Sequence, residues 1–191
     1  MRSLPGSPID RLLTASLLLG PVLYLVADAL YATRGWDDPA AAVVHVLGAV
    51  GYAFVLLRVV TWSSGVTAAV LLAVGVLGVA GNVAYGFNTI HVSLGDTDLV
   101  DATGAAALIK PLGLCFPLTL LLAAFALRHV QPLWVVAVLA VAGMAWPVAH
   151  IANVAWLAVL VNAALVGAFG AMAWAATRRT PAAAHPVTRP A

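Results

Sequence analysis

Six apolar stretches divide this chain, and nearly all of its charged side chains fall between them. The stretches are Leu12–Tyr31, Ala40–Leu57, Val66–Phe87, Ala105–Leu127, Leu133–His150 and Val154–Thr177. Each is close to the ~20 residues that a helix needs to cross a hydrocarbon layer of ~30 Å. The last two belong to one unbroken run. A single helix from Leu133 to Thr177 would be roughly 67 Å long, about twice the hydrocarbon thickness, so the run must turn. The polar break His150-Ile151-Ala152-Asn153, just behind Pro147, is where it is expected to do so.

Composition makes lipid the natural solvent. The chain is 63% hydrophobic and 8% charged, whereas an ordinary soluble domain is about 25% charged. So little polar surface cannot cover a fold in water. An all-α membrane protein is therefore expected: residues 1–177 as a single bundle of six transmembrane helices, and residues 178–191, rich in Ala, Pro and Arg, as a disordered cytoplasmic tail. The first stretch is too long for a signal-peptide core and lacks a small-residue cleavage site, so it reads as a retained helix.

Charge sets the expected orientation. Six spans place both termini on one side, together with Arg2, Arg11, Arg58, Arg128, Arg178, Arg179 and Arg189. The other side receives Arg34 and the acids Asp37, Asp38, Asp96, Asp98 and Asp101. Because cytoplasmic loops carry the excess of Lys and Arg, both termini are expected in the cytoplasm. Five spans would put Arg178 and Arg179 outside. The tryptophans fit an aromatic belt, with Trp62, Trp134 and Trp174 near inner ends and Trp36, Trp146 and Trp156 near outer ends. Heavy use of Ala, Val, Leu and Arg is similar to that of small multi-pass membrane proteins of high-GC bacteria, which makes a bacterial inner membrane the expected location. No specific motif ties the chain to a named family.

Several chemistries are excluded by what is missing. Cys115 is the only cysteine, so there is no intrachain disulfide and no Cys-rich metal site; it reads as a packing residue. There is no Glu, no phosphate loop of the GxxxxGK type, no HExxH and no GxSxG. The Arg are scattered, which argues against nucleic-acid binding. Asp96, Asp98 and Asp101 lack the Gly and terminal Glu of a calcium loop and read as a solvated turn. Gly75, Gly78 and Gly81 strip one side of the third helix of side chains, which favours close helix packing.

Two charges lie inside spans. Asp28 is about one turn, and Lys110 about two turns, from the outer ends of the first and fourth helices. A charge in hydrocarbon costs about 2.5–3.5 kcal/mol on insertion scales, and pairing relieves much of it. Asp28 and Lys110 are thus expected to face each other or a shared polar cavity. A purely structural ion pair, or separate snorkelling of each side chain to the interface, is the plainer alternative. Other polar groups collect at similar depth: His45, His150, Asn82, Tyr85 and Asn153, with Asn88 and His91 just beyond the third span. Tyr24, Asp28 and Tyr31 share one helical face, so the phenols could hydrogen-bond the carboxylate. In the inner half, Ser16, Thr119 and Asn162 are the main polar groups.

The leading functional expectation is an integral membrane protein that binds or moves a small molecule or ion through an outward-facing polar pocket built on the Asp-Lys pair. Its lining would be Asp28, Lys110, His45, His150, Tyr24, Tyr31, Asn82, Tyr85 and Asn153. The alternatives are a haem- or metal-binding redox protein using His45 and His150, or His45, His91 and His150; an intramembrane enzyme acting on a lipid or isoprenoid, with Asp28 as general acid; and an accessory subunit of a membrane complex. The expected partners are the lipid bilayer, a small-molecule ligand, and a second copy or another membrane subunit. No cofactor is named by the sequence.

Overall fold

The computed structural model describes residues 6–178 and consists of six long helices. In chain order they are α1 (Pro8–Arg34), α2 (Pro39–Thr61), α3 (Gly65–Ser93), α4 (Ile109–Leu127), α5 (Leu133–Ile151) and α6 (Ala155–Arg178), with a 3-10 turn over Gly104–Leu108 leading into α4. All six are long and apolar enough to cross a membrane. There is no strand among the described residues.

Local chemistry explains where the helices start. Ser7 caps α1 by accepting the Asp10 amide, and Pro8 stands at the first helical position. Asp38 caps α2 through the Ala41 amide at 2.7 Å, followed by Pro39. Proline suits this position because its missing N–H would have no partner there anyway. The turn between α5 and α6 depends on Asn153, whose φ of 56° is left-handed. Beside it the Val154 amide returns to the Ala149 carbonyl at 2.8 Å, which closes α5. Asparagine tolerates this conformation better than other side chains except glycine.

Several helix ends lie a few residues from the ends of the apolar stretches, and two of these differences change the reading of named residues. α3 runs on to Ser93, so Asn88 and His91 lie on the helix and not beyond it. Apolar content marks the part of a helix that needs lipid, whereas backbone hydrogen bonding continues into the interface. Arg178 is the last residue of α6, so it is helical and not part of a tail. The expected tail at 179–191, with Arg179, His185 and Arg189, and Arg2 at the other end, lie outside the described residues.

The helices form a closed ring. Each packs on its neighbours in the chain, and α6 returns to pack on α1. α1 and α4 therefore stand on opposite sides, meeting only through side chains at the centre. Small residues set the tightest approaches. A Cβ added at Gly51 would lie 2.7 Å from the Gly20 Cα, so α1 and α2 touch backbone to backbone. One added at Gly78 would lie 2.7 Å from the Phe116 nitrogen, and Gly81 likewise presses on Leu112 and Gly113 of α4. Gly75, on the same stripe, instead receives the Leu56 side chain of α2. The ring is filled by Tyr24, Tyr52, Phe116 and Phe169, whose rings meet at 5.0–6.0 Å.

The outside is as apolar as the inside. Leu19, Leu47, Val76, Leu77, Phe125, Val141, Met144 and Leu160 all point outward and are exposed. Water would penalise such a surface and lipid does not. This is an integral, multi-pass membrane protein.

At the end of the ring where α1 begins and α6 finishes, Arg58 is held by Asp10 at 2.7 Å and by the Thr14 hydroxyl at 2.7 Å, with its guanidinium over the Trp62 ring. The opposite end, called distal below, carries the α1–α2, α3–α4 and α5–α6 connections.

Candidate functional site: a polar cavity at the distal end

The distal end of the ring encloses a cavity of about 480 Å³. Its wall is drawn from five helices and three connections: Tyr31 from α1; His45 from α2; Asn82, Tyr85, Asn88, Thr89 and Val92 from α3; Lys110, Gly113 and Leu114 from α4; Trp146, His150 and Ile151 from α5; and Trp36, Asp37, Asp98, Val100 and Asn153 from the connections. Ligand pockets commonly span about 300–1,000 Å³, lined by apolar and aromatic groups with a few placed polar ones. This cavity has that size and that wall.

Of the nine residues expected from sequence, seven line it: Lys110, His45, His150, Tyr31, Asn82, Tyr85 and Asn153. Asp28 and Tyr24 do not. Both are fully buried behind the wall, and each holds one of the histidines that do line it.

Asp28 accepts from the Asn162 amide of α6 at 2.6 Å and meets His150 Nε2 of α5 at 3.4 Å. The other nitrogen of His150, Nδ1, lies 3.1 Å from the Trp146 carbonyl. A carbonyl only accepts, so Nδ1 carries a hydrogen. His150 thus bridges the Trp146 carbonyl and the Asp28 carboxylate through its two ring nitrogens. The Trp146 ring lies flat against the imidazole, 4.0 Å between centroids and 16° between planes. Trp146 is thus an internal packing partner of the site and not part of an interfacial belt, whereas Trp134, Trp156 and Trp174 do point outward.

These contacts correct the Asp28–Lys110 pair. No ion pair joins the two among the described residues. The ring order gives the reason: α1 packs on α6 and lies opposite α4, so the partners that reach Asp28 come from α5 and α6. Asn162, expected in the inner half, lies at the depth of Asp28. Among the described residues Lys110 is left on the cavity wall with no side-chain hydrogen bond or ion pair, and is itself exposed.

The shared face of Tyr24, Asp28 and Tyr31 is likewise divided among other partners. The Tyr24 hydroxyl goes to His45 Nε2 at 3.4 Å, not to the carboxylate. Asn82 adjoins the same imidazole and anchors its own amide on the Gly78 carbonyl at 2.9 Å. Tyr31 stacks on Trp36, 5.2 Å between centroids. The Trp36 indole N–H donates to the Asn153 carbonyl at 3.3 Å, so the α1–α2 connection is fastened across the cavity mouth to the α5–α6 turn.

Asp98 also departs from the solvated-turn expectation. Its Oδ1 accepts from Asn88 and from the Val100 amide, while the Asn88 carbonyl oxygen accepts the Leu99 amide. This lattice folds the α3–α4 connection back onto α3 and makes it part of the wall.

Among the described residues no group of three His, Cys, Asp or Glu side chains comes close enough to hold an ion, so the three-histidine metal arrangement is not assembled. His91 instead pairs with Asp96 at 3.2 Å near the surface. His150 has both ring nitrogens within hydrogen-bond distance of protein partners and a tryptophan against its face.

Sequence reasoning missed Trp36, Trp146, Thr89 and Asn162. Three of these carried a signal: each is a polar or amphipathic residue within two turns of the distal end of the nearest apolar stretch. Asn162 was read with the wrong half of the helix. Compared with known protein families, with curated proteins and with solved structures, the chain finds no match.

Proposed function

We propose that this membrane protein binds, and in moving it passes, a small polar molecule through the distal cavity, which faces the outside of a bacterial inner membrane. The observation that carries this reading is the cavity itself. Five helices bring polar side chains to one end of an otherwise apolar ring, and the space they enclose is of ligand size. A structural bundle would gain more by closing that space with aliphatic side chains, because each membrane-buried polar group carries a cost. The orientation rests on charge: Arg11, Arg58, Arg128 and Arg178 stand at the terminal end, and Asp37, Asp38, Asp96, Asp98 and Asp101 at the distal end.

A second reading is an intramembrane enzyme acting on a lipid or isoprenoid. It is favoured by the aromatic wall of Tyr31, Trp36, Tyr85 and Trp146 around an ionisable histidine. In that case His150 would be the acid or base at the cavity and Asp28 the group that positions it.

The test is native mass spectrometry of the detergent-released protein, with wild type beside His150→Phe and Gly113→Leu. Wild type should retain a non-covalent mass beyond detergent. Gly113→Leu, which pushes bulk into the wall beside Tyr85, should lose it while remaining folded. Identical spectra for wild type and Gly113→Leu, or a bound mass indifferent to both substitutions, would remove the cavity as the binding site.

A further inference from the structure

Lys110 and Asp37 are the two charged side chains of the cavity wall that have no partner among the described residues, and the ring order sets them on opposite sides of the mouth. The remaining acid and both histidines of the wall each have a partner. Asp98 is tied to Asn88 and Val100, His150 to Asp28 and the Trp146 carbonyl, and His45 to Tyr24. Lys110 stands at the second position of α4, and Asp37 in the connection between α1 and α2. α4 lies across the ring from α1.

A lysine kept on the cavity wall with no ion pair among the described residues points to an anion supplied by something else. Asp37, facing the same space, offers the complementary site for a cation. The same wall carries Tyr31, Trp36 and Trp146, and aromatic rings favour an ammonium group.

We infer that the cavity binds a zwitterion, its anionic group at Lys110 and its ammonium group at Asp37 among the aromatic rings. This rests on the cavity being a ligand site and adds the class of ligand. The same chemistry is presented by a zwitterionic lipid headgroup and by a free zwitterionic solute.

Four probes separate the charges and the sources: dihexanoyl phosphatidylethanolamine, free phosphoethanolamine, dihexanoyl phosphatidylglycerol as an anion alone, and hexyltrimethylammonium as a cation alone. Binding to the full-length protein in a non-ionic detergent is read by calorimetry. One zwitterion should bind about tenfold more tightly than either singly charged probe, since a well-placed charge contact is worth about that factor or more. Binding of only the tailed zwitterion identifies a lipid headgroup, and equal binding of phosphoethanolamine a free solute. Lys110→Gln should abolish the advantage over the cation, and Asp37→Asn the advantage over the anion. The charge exchange Lys110→Asp with Asp37→Lys should restore zwitterion binding in reversed orientation. If the anion binds as tightly as the zwitterion and Asp37→Asn has no effect, the zwitterion assignment fails while the cavity remains a ligand site. If no probe binds and the wild-type native spectrum holds only detergent, both fail.

Discussion

Nε2 of His150 lies 3.4 Å from the Asp28 carboxylate, with the histidine side chain 8% exposed and the aspartate wholly buried. The contact joins α5 to α1, two helices that are not neighbours in the ring, and Asn162 of α6 completes it from between them. A buried carboxylate is thereby satisfied by two groups distant in sequence, and one of these reaches the cavity.

The energetic content of this contact can be measured as a coupling. Asp28→Asn and His150→Gln should each lower thermal stability in detergent, and the double variant should lose about 0.5–1.5 kcal/mol less than the sum, the scale found in double-mutant cycles of polar contacts between membrane helices. Strict additivity in the melting data would mean that the two side chains do not interact in the folded protein.

Close packing of α3 on α4 makes a sharper prediction. Gly81→Val inserts side-chain atoms against the Leu112–Gly113 backbone, which cannot yield as a flexible side chain can. The expected loss is about 1–3 kcal/mol or failure to fold. Gly167→Ala, where a Cβ meets nothing within 4 Å, should be neutral or slightly stabilising because alanine is the better helix former. Equal stability of Gly81→Val and Gly167→Ala in a thermal melt would contradict the packing described.

At the terminal end, Arg58 is nearly buried, whereas Asp10 is partly exposed. Removing the exposed partner strands the buried charge, so Asp10→Ala should cost about 1–3 kcal/mol. Adding Arg58→Leu to Asp10→Ala should recover part of that loss by removing the stranded guanidinium. If the double variant melts below Asp10→Ala alone, Arg58 is held chiefly by Thr14 and Trp62.

Orientation is open to thiol labelling. In a Cys115→Ser background, Ser93→Cys at the exposed distal end of α3 should react with a membrane-impermeant maleimide in intact cells. His129→Cys, in the exposed α4–α5 connection, should react only after permeabilisation. The reverse pattern would place the cavity mouth on the cytoplasmic side.

How far the sequence reached follows from what is local and what is not. Hydropathy and length are properties of a segment, so six helices, the turn at Asn153 and the membrane itself were legible without coordinates. Depth was legible too, because 1.5 Å per residue converts position into distance from a helix end. That is why Lys110, His45, His150, Tyr31, Asn82, Tyr85 and Asn153 could be gathered at one level, and why the glycines of α3 read as a packing stripe. Direction around each helix axis was not legible. Whether Asp28 turns toward α4 or toward α5 and α6 depends on which helices flank α1. That is decided only when α6 closes the ring, bringing together residues more than a hundred positions apart. Lys110 was assigned to Asp28 because opposite charges at one depth attract. The closed ring instead gave Asp28 a histidine and an amide, and left Lys110 facing the cavity. Burial in lipid was thus determined by the sequence alone, through the transfer energy of its side chains, while the pairing of its few polar groups was decided by tertiary structure, because hydrogen bonds form only between groups that packing brings within about 3.5 Å.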